Sequence, residues 1–120
     1  MGLKQAYQQK MEAQISEWDA KVEGYLAKVK ELKAKAEKLE GQAKVECNKQ
    51  LQALEGKVED IKGKLSTGKR EYEKVKAATD EAWEDMKAGA EKAWDKVKSG
   101  VDGGWASLKE AMDTAASKLK

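Results

Sequence analysis

YEKVKAATDEAWEDMKAGAEKAWDKVKSGVDGGWASLKEAMDTAASKL, residues 72–119, keeps an eleven-residue beat. Tyr72, Trp83, Trp94 and Trp105 stand eleven positions apart, and Val75, Met86, Val97, Leu108 and Leu119 repeat the interval three residues later. A third column holds Thr79, Ala90, Val101 and Met112. Eleven residues make just over three turns of an α-helix, so the columns fall on one stripe of a nearly straight helix. Beside the stripe run Lys76, Lys87, Lys98 and Lys109, with Asp80, Glu91, Asp102 and Asp113 one turn further on. The opposite flank is small: Ala82, Ala93, Gly104 and Ala115. Such a helix has a charged wall, an aromatic seam, and a smooth wall that admits another backbone.

Working outward, the first half is also helical but follows a different beat. Ile15, Trp18, Val22, Tyr25, Val29, Leu32, Ala36, Leu39 and Ala43 alternate steps of three and four, the heptad seam of a coiled coil. Two successive steps of four occur at Tyr7, Met11 and Ile15, and again at Ala43, Cys47 and Leu51. These insertions relax a left-handed supercoil toward the straighter geometry of the second half. The seam resumes with Leu54, Val58, Ile61 and Leu65.

Between the halves lies Gly63-Lys-Leu-Ser-Thr-Gly68, whose glycines and hydroxyls offer a C-cap and an N-cap in one short span. The reading is an all-α single domain over 1–120: a heptad-rich helix over 3–65, a turn over 63–70 and an eleven-residue-repeat (hendecad) helix over 70–119. Together they form a long antiparallel αα-hairpin that associates into a helical bundle. A break near Gly41 would convert this hairpin into a three-helix bundle. Ser99-Gly-Val-Asp-Gly-Gly104 is a second weak point, although the unbroken phase across it favours continuity. Folding near residue 67 sets Trp83 opposite Cys47–Leu54 and Trp105 opposite Val29 and Leu32. Tyr7 and Met11 then overhang, free to meet another subunit.

Composition agrees with long helices: 38% of the 120 residues are charged, and proline, phenylalanine and histidine are absent. Lysine and arginine number 24 against 22 acids, a net charge of +2. Residues 1–70 carry 15 basic and 11 acidic groups, and residues 71–120 carry 9 and 11. This mild asymmetry favours association of the halves and lacks the concentrated basic face of a nucleic-acid binder. No run of apolar residues is long enough to span a membrane. Gly2 follows the initiator Met, but Ala6 replaces the hydroxyl residue that a myristoylation signal requires.

No catalytic constellation emerges. Without histidine there is no ready general base and no usual zinc spacing. Cys47, the single cysteine, falls on the heptad seam, where a small buried residue is expected. A redox role would need an exposed, electropositive setting. The carboxylate pairs Glu59-Asp60 and Glu84-Asp85 sit where a solvated helix face belongs. The glycines follow no strand and form no phosphate loop. Catalytic, metal and cofactor-binding residues are therefore expected to be none.

The segment Tyr7-Gln-Gln-Lys-Met-Glu-Ala-Gln-Ile-Ser-Glu-Trp-Asp-Ala20, together with Asp80-Glu-Ala-Trp-Glu-Asp-Met-Lys-Ala-Gly-Ala-Glu-Lys-Ala-Trp-Asp95, resembles a family of small bacterial coiled-coil stress-response proteins. The tandem Ala-Trp-acid repeats are the most specific part of the likeness. Val101-Asp-Gly-Gly-Trp105 departs from it by extending the repeat another unit. The eleven-residue periodicity is also similar to that of late embryogenesis abundant proteins, exchangeable apolipoproteins and synucleins. Those likenesses imply helices that form on drying or on lipid.

The expected function is a non-enzymatic stress-response or structural protein that self-associates as a dimer or higher oligomer and shields other proteins or surfaces. It is expected in the cytoplasm, with no cofactor, nucleic acid or small-molecule substrate. The alternative is a reversible amphipathic binder of membrane or lipid surfaces, peripheral at the membrane. Two sets of residues carry these expectations. The interaction stripe is Tyr72, Val75, Trp83, Met86, Trp94, Val97, Trp105, Leu108, Met112 and Leu119. The seam of the first helix is Ile15, Trp18, Val22, Tyr25, Val29, Leu32, Leu39, Cys47, Leu54, Val58, Ile61 and Leu65.

Overall fold

A computed structural model describes residues 3–119, which form three long helices and no strand: α1 (Leu3–Ala36), α2 (Gly41–Ala77) and α3 (Asp80–Lys118). Gly2, and with it the myristoylation reading, lies outside the described residues. The helices lie side by side in an up-down-up bundle measuring 63 × 19 × 17 Å. Interhelical contacts fix the directions. Lys33 pairs with Glu55 at 2.6 Å and Lys69 with Asp19 at 3.3 Å, so α2 runs antiparallel to α1. Lys57 Nζ donates to Ser107 Oγ at 2.7 Å and Lys64 Nζ to the Gly100 carbonyl at 3.3 Å, so α3 runs antiparallel to α2. Consequently α1 and α3 are parallel neighbours.

The long hairpin expected from the periodicity does not form. Residues 63–70 are helical and lie inside α2, where the Thr67 hydroxyl donates back to the Gly63 carbonyl at 3.3 Å instead of capping a helix. The physical reason is packing. Gly68 is buried, and a Cβ on it would lie 3.1 Å from Val97 Cγ1 and 3.4 Å from Trp94 Cζ3. The glycine is there for close helix approach, not for chain reversal.

Reversal occurs at two other places. After Ala36 the chain tightens: Lys38 N–H bonds to the Lys35 carbonyl and Leu39 N–H to that of Ala36. Gly41, at φ +63°, then redirects it into α2, a left-handed conformation that favours glycine. The break near Gly41 is therefore real, and the bundle has three helices. The second reversal takes only Ala78 and Thr79, both extended. Thr79 caps α3 by accepting from Ala82 N–H at 3.1 Å, and Asp80 and Glu81 in the first turn suit the positive end of the helix dipole. The expected 70–119 helix is thus divided, with Tyr72 and Val75 at the end of α2. Gly100–Gly104 causes no break, and α3 runs through it.

The core is a single column of side chains between the helices, and no charged or polar side chain is buried among the described residues. Of large apolar groups, Leu3 and Val45 are the exposed ones among these residues. Met11, expected to overhang, is buried, and Tyr7 packs against the core. A two-helix hairpin leaves one face of each stripe bare. Here the third helix covers it, so burial of the stripes needs no second copy.

Candidate functional site

The α1–α3 groove is filled by a ladder of aromatic pairs. Tyr7 meets Trp83 with ring centroids 5.2 Å apart, Trp18 meets Trp94 at 5.3 Å, and Tyr25 stacks on Trp105 at 5.6 Å with ring planes 17° apart. Because α1 and α3 are parallel, the interval from Tyr7 to Trp18 matches that from Trp83 to Trp94: eleven residues on each strand of the ladder. Equal rises keep both pairs level. Each pair contributes about 0.5–1.5 kcal/mol beyond simple burial. Lys21 Nζ lies 5.4 Å from the Trp105 ring centroid, adding a cation–π contact at that rung.

Large rings hold α1 and α3 apart, whereas α2 and α3 approach closely through small residues. Ala115 is fully buried, and a Cβ on Gly104 would fall 2.8 Å from Ile61 Cγ1. The small wall read from the sequence therefore faces α2 at Gly104, while Ala82 is exposed.

Two indole N–H groups, on Trp83 and Trp105, are buried without a hydrogen-bond partner. A buried unpaired donor costs about 1–3 kcal/mol. By contrast, Tyr72 is satisfied. Its hydroxyl donates to Glu12 Oε1 and receives Gln8 Nε2 at 3.5 Å, tying the end of α2 to the start of α1. The bond to Glu12, ahead of burial, holds the Tyr72 phenol above its usual range. Burial, then the nearby carboxylates of Glu91 and Asp95, pushes the Tyr7 phenol up to about 12.

The expected stripe is distributed over two helices. Tyr72 and Val75 lie on α2; Trp83, Met86, Trp94, Val97, Trp105, Leu108 and Met112 lie on α3; and Leu119 caps its end. All are buried except Met86 and Leu119, which are half-buried against the core. The first-helix seam is likewise divided. Ile15, Trp18, Val22, Tyr25, Val29 and Leu32 belong to α1, Leu39 to the connection, and Cys47, Leu54, Val58, Ile61 and Leu65 to α2. Of these, Ile15, Tyr25 and Leu39 are half-buried and the rest are buried. The structure joins the two sets into one interior. Trp94 meets Trp18 and Gly68, and Trp105 meets Tyr25. The Glu12–Tyr72–Gln8 link was not foreseeable from periodicity, since all three depend on where the chain turns.

The surface carries shallow open grooves, one of about 580 Å³ bordered by Glu12, Lys69, Tyr72 and Glu73. Among the described residues no three acidic, cysteine or histidine side chains are gathered as a metal would require. No described helix is long and apolar enough to cross a membrane. Compared with known protein families, curated proteins and solved structures, the chain has no match. The resemblance of residues 7–20 and 80–95 to the bacterial stress-response proteins therefore rests on the sequence pattern alone.

Proposed function

We propose that this chain is a non-enzymatic helical stress-response protein of structural type, acting in the cytoplasm by self-association and by shielding other proteins or surfaces. The supporting observation is the division between an aromatic interior and a shell of mixed charge. With 24 basic and 22 acidic groups and none of the described ones buried, the rod presents hydrated charges of both signs to its neighbours. Such a surface resists close association of exposed apolar patches on other proteins without binding any one of them tightly. The test is a labile enzyme dried or heated with this protein, compared with an equal mass of serum albumin. Protection well above the albumin control is expected, and protection no better than albumin would overturn the reading.

A second reading, reversible binding to lipid surfaces, is favoured by the two unpaired indole N–H groups. Opening the α1–α3 groove would let Trp83 and Trp105 donate to lipid headgroups and lay the stripe on acyl chains. Tryptophan emission and far-ultraviolet circular dichroism with anionic vesicles decide it. A changed emission maximum with retained helix supports lipid binding; spectra indifferent to vesicles exclude it.

A further inference from the structure

The connection between α2 and α3 is a turn with no residue that requires one. It holds two residues, Ala78 and Thr79, with neither glycine nor proline. Ala78 has φ −71° and ψ 141°, and Thr79 has φ −73° and ψ 167°. Both φ values are already helical; only the two ψ angles depart from the helical value near −42°. The first connection is different, because Gly41 sits at φ +63° and Glu40 at φ −130°.

The apolar pattern also ignores the turn. Buried positions run Gly68, Tyr72 and Val75 on α2, then Trp83, Ala90 and Trp94 on α3. The step from Val75 to Trp83 is two fours, with Thr79 between them, so a straightened helix would carry one uninterrupted stripe. Straightening surrenders the Thr79 cap and the Ala78 N–H bond to the Val75 carbonyl. In return, i→i−4 bonds continue through the junction.

We infer that Ala78–Thr79 is a hinge through which two copies of this chain exchange α3. In the exchanged dimer α2 and α3 form one helix over 41–118. Each α3 then lies in the groove that the partner's α3 has left, parallel to α1 and antiparallel to α2 of that hairpin. The occupant of the vacated groove is a second copy because only that segment brings indoles level with Tyr7, Trp18 and Tyr25. The arrangement closes on a two-fold axis near the hinge, so it stops at two chains. It deepens the self-association in the proposed function and rests on that reading for its physiological use.

Three full-length proteins test it: wild type, Thr79→Ala and Asp80→Pro. Thr79→Ala removes the cap that holds the turn, and cap loss favours the straight form about fivefold per hinge, hence about twenty-five-fold in the association constant of a two-hinged dimer. Asp80→Pro does the reverse. Proline suits the first helical turn and keeps the preceding Thr79 extended as it already is, while a continuous helix through it is blocked. Each protein is refolded at several hundred micromolar and examined by light scattering after size exclusion and by small-angle X-ray scattering.

The expected result is a wild-type dimer fraction that rises in Thr79→Ala and vanishes in Asp80→Pro. The dimer should have a largest dimension of about 115 Å at ~1.5 Å per residue, against 63 Å for the monomer. Exchange is overturned if Thr79→Ala dimerises no more than wild type, if a dimer persists in Asp80→Pro, or if the dimer is no longer than the monomer. Should Asp80→Pro lose its helix signal, insertion of Gly-Gly after Ala78 replaces it as the locked form. Molecular size reads exchange alone and the drying assay reads shielding alone, so the two proposals fail separately.

Discussion

Gly103 and Gly104 are neighbours on α3, yet alanine should have opposite effects at the two sites. A Cβ at Gly103 meets nothing within 4 Å. Gly103→Ala should therefore show only the gain in helix propensity, about 1 kcal/mol of added stability. At Gly104 the added carbon would lie 2.8 Å from Ile61 Cγ1 and 3.3 Å from its Cδ1. Ile61 is buried and branched at Cβ, so it cannot swing aside without displacing other core groups. Overpacking of this kind costs about 1–3 kcal/mol, which cancels or exceeds the same propensity gain. Net destabilisation of roughly 0–2 kcal/mol is expected for Gly104→Ala, leaving the two variants separated by roughly 1–3 kcal/mol. Urea titrations followed by circular dichroism should resolve that gap. Ile61→Ala supplies the complementary test: it should cost less in the Gly104→Ala background than in wild type, with a coupling of about 0.5–3 kcal/mol. Equal stabilisation by both alanines, with no coupling to Ile61, would refute the α2–α3 register on which the bundle is built. The hairpin register would instead set residue 104 opposite residue 30, where Ile61 has no influence.

Three further outcomes follow from particular residues. Gly41→Ala should destabilise by about 1–2 kcal/mol, since its φ of +63° is left-handed; a neutral result in thermal unfolding would mean the first connection does not need that conformation. The Tyr7 phenol rises from 10.0 to about 12 in the folded chain and that of Tyr72 is also raised. A raised pKa means that the folded state holds the proton more tightly. The resulting stability is complete below pH 10, then declines as pH rises, through about pH 12 for Tyr7. Ultraviolet titration of the phenols should show two late-titrating groups, and Tyr72→Phe should remove one of them. Cys47 is buried, so its thiol should react with an aromatic disulfide only as fast as the bundle opens, and at full speed in denaturant. Immediate reaction in native buffer would place that thiol at the surface.

Helical content and interior membership were legible because apolar periodicity reports which side of a helix is buried whatever it is buried against. Trp83, Trp94, Val58 and Leu65 are interior in either architecture. Chain reversals were harder to read, because the two usual markers point the wrong way. Gly63 and Gly68 sit mid-helix, with Gly68 making room for Val97 and Trp94, while the second turn uses Ala78 and Thr79 without a breaker. Nor does the pattern change phase there, so Tyr72 reads as the first member of a column that the fold assigns to α3. The pairing of Tyr7 with Trp83 was missed for the same reason. Its signal, the shared interval of eleven in Tyr7–Trp18 and Trp83–Trp94, becomes meaningful only once α1 and α3 are known to be parallel.

The slender shape has a calorimetric consequence. The chain exposes 7716 Å² at 13.3 kDa, whereas a compact protein of that mass exposes about 6,450 Å². Relative to an extended chain, about a tenth less surface is withdrawn from water. Heat capacity on unfolding scales with that withdrawn surface, so its increment should be correspondingly small. A smaller increment flattens the stability curve, and the bundle should lose less of its stability on chilling than a rounder domain of equal length.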